Sequence, residues 1–360
     1  MHLQLSGHPL HSRSLTVKVE PMEDGRILAR AELVDLRKRG FVPLAGQLQP
    51  SGVIHHMKVR GILNPATRVL DEIEAEQPTV AFEPSPLTRG ESCRDPVRSI
   101  EALAGTRIVA DLAYAKALNA TIGGPRGCSH VLVLGQLLGS TLAWALDREC
   151  ERYPDPGEAP IRRPGEAIFH RSLLLDASEA ETGIVQLAFQ LGDLHFARAP
   201  ALAPPMDRFA AQQEVRGLAV VDVDGATLQS LIGAERHRER DEIESAEWTT
   251  LDGRLKEFTG AHLLAGFGRR LVDGLHAHQP DRPLLDALLN LAPVFIQCMG
   301  ALSESWPAEA SRRPSLVGTG GHPDSCYMWR SEGPLAIALS KEIASGGVVH
   351  RARRGRRDSA

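Results

Sequence analysis

Aromatic residues make up only 4% of this 360-residue chain, too few for the stacking platforms of single-strand nucleic-acid binders. Net positive charge is missing as well. The formal charge is -4, so nothing draws the chain to nucleic acid or anionic lipid in general. Arginine supplies nearly all the cationic charge, which reads as compositional bias rather than phosphate recognition. No apolar run reaches the roughly 20 uninterrupted residues of a membrane span; the runs near 131–146 and 284–302 read as core helices. The start, Met1–His8, lacks the basic segment and long apolar core of a secretory signal. The cysteines, Cys93, Cys128, Cys150, Cys298 and Cys326, are odd in number and lack framework spacing. Reduced thiols in a cytosol fit them better than a disulfide scaffold. These absences leave a cytoplasmic protein that acts on a small molecule, with no nucleic-acid or membrane partner. They do not fix its oligomeric state.

What is present is globular: 42% hydrophobic and 24% charged residues, in a chain long enough for two units with full cores. Leu15, Val17 and Val19 alternate with polar residues up to Asp24-Gly25, and Ile27, Ala29, Ala31 and Leu33 alternate beyond it. Period two on both sides of an Asp-Gly turn predicts a β-hairpin. Val53–Leu63 reads as a third strand, Gln77–Ser99 as a proline-rich loop, and Val97–Leu103 and Arg107–Leu118 as helical. Gly123-Gly124-Pro125-Arg126-Gly127 then breaks the chain before Cys128-Ser129-His130 and a long apolar helix. A thiol at such a helix mouth sits among unsatisfied N–H groups that favour an anion and lower a thiol's pKa.

The second half echoes the first. His170-Arg171-Ser172-Leu173 follows Ser12-Arg13-Ser14-Leu15, and Asp193-Leu194 follows Asp35-Leu36, each 158 positions later (13 to 171, 35 to 193). Later matches drift by only a few positions, which predicts a duplicated unit. The expected fold is α+β: two related units, each a mainly antiparallel sheet packed with helices, arranged as an internal pseudo-dimer. Residues 1–150 form the first repeat, 151–165 a linker, and 166–303 a degenerate second repeat. Residues 304–345 form a closing segment with a Cys-Tyr-Met-Trp motif, and 346–360 a disordered basic tail. In this alignment Cys128 corresponds to Pro283, His130 to Leu285 and His55 to Ala211, so the second copy keeps the scaffold and drops the reactive groups. Arg13 with Asp35, and Arg171 with Asp193, read as buried structural pairs joining strand ends. Gly318-Thr319-Gly320-Gly321 is no phosphate loop, since the Lys-Ser/Thr ending is absent.

Arg13-Ser14-Leu15, Asp24-Gly25, Asp35-Leu36, Ile54-His55-His56-Met57, Gly127-Cys128-Ser129-His130 and Asp324-Ser325-Cys326-Tyr327-Met328-Trp329 together resemble the bacterial domain of unknown function DUF2889. The resemblance covers about 11–150 and returns near 324–333. It groups these motifs without supplying an activity. On a regular strand only one of His55 and His56 can face the site, and the family pattern favours His55.

The candidate catalytic residues are therefore His55, Cys128 and His130: Cys128 as thiolate nucleophile, His130 as its acid or base, and His55 as a second proton carrier. Cys326, Tyr327 and Trp329 would line a substrate pocket. The implied function is a small-molecule hydrolase or lyase using acid–base or thiol chemistry. The alternative is a non-catalytic module that binds a metal or ligand, with His55, Cys128, His130 and Cys326 as a zinc set. A plainer reading makes Cys128 a buried hydrophobe, Ser129 an N-cap and His130 a surface residue.

Overall fold

Alternation of inward apolar and outward polar residues builds the first hairpin. Strand β1 (His8–Pro21) buries Leu15, Val17 and Val19, and β2 (Ile27–Arg37) buries Ala29, Ala31 and Leu33. They pair antiparallel through a turn in which Gly25 takes φ +81°, a conformation that glycine adopts without steric penalty. The computed structural model describes residues 4–40, 42–44, 47–109, 113–155, 160–200, 202–275, 282–302 and 323–344. The expected basic tail at 346–360, the first part of the closing segment and its glycine run at 318–321 lie outside the described residues.

After the small two-stranded sheet of β3 (Val42–Leu44) and β4 (Gln47–Gln49) come β5 (Gly52–Leu63) and β6 (Leu70–Thr79). The second half adds β7 (Phe169–Glu181), β8 (Ile184–Phe196), β9 (Phe209–Asp222), β10 (Thr227–Glu239) and the short β11 (Thr249–Thr250). All but β3 and β4 join one nine-stranded sheet in the order β11-β10-β9-β8-β7-β1-β2-β5-β6. Every pairing in it is antiparallel. The α+β class is thus realised as one continuous sheet, with β1 and β7 side by side at its centre.

The helices are α1 (Ala113–Ile122), α2 (Ser129–Arg152), the short α3 (Asp252–Leu255), α4 (Phe267–Leu275), α5 (Arg282–Leu289), α6 (Leu291–Leu302) and α7 (Pro334–Ala344). Helix α2 packs on β1, β2 and β5, while α5 and α6 pack on β7, β8 and β9 and reach back to β1. Ser140 of α2 meets Asp286 of α5, and His130 at the start of α2 meets Gln297 of α6. Rising numbers on one side meet falling numbers on the other, so α2 and the α5–α6 pair run antiparallel. Both stretches are long and apolar enough to cross a membrane by composition, but here they are mostly buried.

Two boundaries differ from expectation. Arg107 forms an isolated bridge with Val69, which holds it in extended backbone, and the following helix starts at Ala113. Strand β6 continues to Thr79, into the segment expected to be loop. Helix α1 approaches α2 closely because Gly139 lies against the ring of Tyr114; a Cβ there would overlap the ring. The Tyr114 hydroxyl donates to the Gly135 carbonyl at 3.1 Å and pins the ring in place. Gly139→Ala should therefore destabilise the fold by about 1–3 kcal/mol through overpacking. An unchanged urea midpoint would refute this account of the helix contact.

Candidate functional site

The site is built outward from Asp35, a fully buried carboxylate on β2. In the ladder Arg13 of β1 faces it on one side and His55 of β5 on the other. Alternate residues of a strand share a face, so His11 and Arg37 also point inward, as their burial shows. Arg13 grips Asp35 as a fork: Nε donates to Oδ1 at 2.7 Å and Nη2 to Oδ2 at 2.8 Å. His11 Nε2 lies 2.9 Å from Oδ1, and His55 Nδ1 3.2 Å from Oδ2.

Helix α2 brings the third imidazole. Its N-cap is Cys128, in extended conformation, rather than Ser129. The helix therefore opens at Ser129, and His130 Nε2 sits 3.3 Å from Asp35 Oδ2 and 3.2 Å from the amide nitrogen of Gln297. The rings of His55 and His130 are in face contact, tilted by 33° with centroids 3.7 Å apart. His130 is half-buried and is not the surface residue of the plainer reading.

Charge follows from these positions. Burial alone would raise the Asp35 pKa, but the Arg13 guanidinium and the hydrogen bonds with His11, His130 and His55 hold it well below the ordinary carboxylate value. Burial pushes His130 down to about 3, and the neighbouring His55 adds to the effect. The carboxylate is ionised and His130 is neutral at neutral pH. An ionised carboxylate only accepts hydrogen bonds, so it is satisfied when His55 carries its hydrogen on Nδ1, which leaves Nε2 as the basic nitrogen of that ring.

The thiol behaves differently from expectation. Cys128 does occupy a helix mouth, and backbone N–H groups of Val131 and His130 lower its pKa, but desolvation by burial outweighs them and the net shift is upward. Its hydrogen bond is with Gln77 Nε2, at 3.3 Å, and no thiol–imidazole pair with His130 is formed among the described residues. The expectation of a low-pKa thiolate is corrected accordingly: the dipole acts, but the apolar burial of the sulfur dominates. Burial likewise pushes Cys326 up to about 12.

All six residues singled out from the sequence, His55, Cys128, His130, Cys326, Tyr327 and Trp329, line one cavity of about 120 Å³. The closing segment is tied to the helix mouth by the Tyr327 N–H, which donates to the Gly127 carbonyl at 2.7 Å. Trp329 stands edge-on to Phe82 at 5.9 Å and forms a wall. Arg13, Arg37 and Gln297 also line the cavity, and sequence reasoning missed them as site residues. For Arg13 and Arg37 a signal was present: His11, Arg13, Asp35 and Arg37 are charged or polar residues at alternate positions whose neighbours on the same face are core.

Residues 11–143 match the model of the family DUF2889, described as a protein of unknown function. The matched DUF2889 segment contains His11, Arg13, Asp35, Arg37, His55, Gln77, Cys128 and His130, so the whole imidazole–carboxylate cluster lies within it. No curated protein and no solved structure matches the chain.

The positions 158 residues further along the chain are also informative. Arg171 grips Asp193 in the same fork, with both hydrogen bonds at 2.6 Å. Ala211, expected at the place of His55, faces His195 instead, and the residue facing Asp193 is Gln213. The sequence alignment of β9 was two residues out of step with its hydrogen-bonded register. Helix α5 adds Asp286, which pairs with Arg171 and accepts from Ser140.

Proposed function

We propose that the DUF2889 segment and the closing Cys326–Trp329 stretch form the active site of a small-molecule enzyme, a hydrolase or lyase working by acid–base chemistry. The observation that carries this reading is the closely packed His55–His130 pair held over one buried carboxylate at the wall of an apolar cavity. Two rings so close oppose double protonation, so one serves as acid while the other serves as base. Asp35 fixes their orientation and stabilises whichever ring is charged. The thiol branch is less well supported, because Cys128 stays protonated. All five cysteines are free, which supports a cytoplasmic setting.

A panel of small esters, thioesters and hydroxy acids offered to the full chain tests the reading. Turnover should fall about 10²–10⁴-fold in His55→Asn and in His130→Asn, and stay within about tenfold in Cys128→Ala. Loss in Cys128→Ala with survival in both histidine variants would place the chemistry on the thiol and overturn the proposal.

A metal reading rests on one observation of its own. Asp35, His55 and His130 offer ligand atoms that all lie within 4.8 Å of one another, a histidine–carboxylate donor set. The expected ligands Cys128 and Cys326 are not part of that group. Both Asp35 oxygens already carry Arg13, which favours the metal-free reading. One zinc per chain after loading and dialysis, lost in His130→Asn, would favour the binding module.

We also read residues 166–303 as a degenerate second copy, with the two copies arranged as an internal pseudo-dimer. The repeated Arg–Asp fork, the central β1–β7 pairing and the antiparallel α2 and α5–α6 helices support this. Phe169 stands two residues before Arg171, as His11 stands before Arg13, and Gln213 takes the place of His55. The second copy would then retain the charged anchor without the imidazoles.

A further inference from the structure

Arg37 has no part in the acid–base reading, yet it lines the same cavity. It ends β2 two positions beyond Asp35 and is 4% exposed. Its Nη1 donates to the Gln49 carbonyl at 3.4 Å, its Nε has no partner, and no ion pair ties it to a carboxylate among the described residues. Arg13 also keeps one buried nitrogen, Nη1, without a partner. A buried charge without a counter-ion is strongly unfavourable, and orphaned buried donors call for an explanation. Burial lowers the Arg37 pKa to about 10, opposed by the Asp35 charge, so the side chain is still a cation at neutral pH. Asp35 balances Arg13, and the cavity is left with one positive charge in excess.

The walls show what else would be bound. Met57, Phe82, Val133, Ile296 and Trp329 are apolar, and at about 120 Å³ the cavity is smaller than the roughly 150 Å³ that holds benzene, so it suits a short aliphatic body. We infer that the cavity binds a small monocarboxylate, its carboxylate group paired with Arg37 and helped by the free Arg13 N–H, its short aliphatic body against Phe82 and Trp329. A planar carboxylate fits a guanidinium fork better than it fits an ammonium. The inference rests on the reading of this cavity as the substrate site.

Calorimetric titration of the full chain with propanoate and butanoate, and with the two corresponding amides, tests it. The acids should bind at least about tenfold more tightly than their amides, the scale of one charge-assisted hydrogen bond. Arg37→Met should abolish that preference, and His130→Asn should keep it. Arg37→Lys keeps the charge but loses the fork, and should weaken the acids about tenfold even if the methionine variant does not fold. Equal binding of acids and amides, no saturable binding of either acid, binding of inorganic phosphate in their place, or undiminished acid affinity in both Arg37 variants would each overturn the inference. Acids bound through Arg37 without histidine-dependent turnover would remove the enzymatic reading and leave this one. Histidine-dependent turnover of neutral substrates, indifferent to Arg37, would do the reverse.

Discussion

Asp35→Ala is expected to destabilise the protein by about 3–5 kcal/mol, the loss typical when one member of a buried ion pair is removed. The carboxylate is fully buried, and Arg13 opposite it is 1% exposed, so the guanidinium cannot turn to water when its partner goes. Three imidazoles lose their common acceptor in the same step. Asp35→Asn should behave similarly, because an amide presents donors where Arg13 also presents donors. The double variant Arg13→Met/Asp35→Leu should recover much of the loss, since apolar residues of similar volume often replace a buried pair without penalty. Asp193→Ala gives an internal comparison. Arg171 keeps Asp286 as a second carboxylate, so that substitution should be the milder of the two. Urea unfolding of the four variants decides the matter. A loss below about 1 kcal/mol in Asp35→Ala would show that the pair is not the anchor described here.

The hairpin of β1 and β2 was legible because its core-facing apolar residues sit at every second position and the turn carries Asp-Gly. The α2 helix was legible from Gly127 and the apolar run that follows. The joining of both halves into one sheet was not, because the β1–β7 pairing is between strands more than 140 residues apart and no local pattern encodes it. The site was legible in its reactive residues: His55, Cys128, His130 and the Cys326–Trp329 motif do meet at one cavity. The centre of that cluster was visible as a buried pair but not as part of the site. Asp35 and Arg13 recur as Asp193 and Arg171, and recurrence suggested a purely structural pair. Only the three-dimensional structure reveals that one copy of the pair carries imidazoles and the other a second carboxylate. The thiol was misjudged for a different reason: a helix mouth can be read from glycine placement, whereas the depth of burial that protonates Cys128 depends on what the closing segment covers.

Lowering the pH from 7 to 5 is expected to weaken the fold steeply, well before Asp35 titrates. Burial pushes both His130 and His195 down to about 3, the latter reinforced by the nearby Arg152 and Arg171. In the unfolded chain each takes up a proton near 6.5. Between about 6.5 and about 3 the unfolded state therefore holds two protons that the folded state refuses, and stability rises with pH across that window. Each such histidine contributes about 1.4 kcal/mol per pH unit, so the pair removes nearly 3 kcal/mol for each unit below 6.5. His11, also lowered by burial, acts in the same direction. Asp35, held below its ordinary value, adds to the loss only below about 3.8. Urea midpoints at pH 7, 6 and 5 should fall accordingly, and His195→Gln should reduce the slope by about 1.4 kcal/mol per pH unit. A flat profile over this range would mean that these rings do take protons in the folded state. The consequence for chemistry is specific: with His130 neutral until about pH 3, activity lost near pH 5 should track unfolding of the chain rather than protonation of that base.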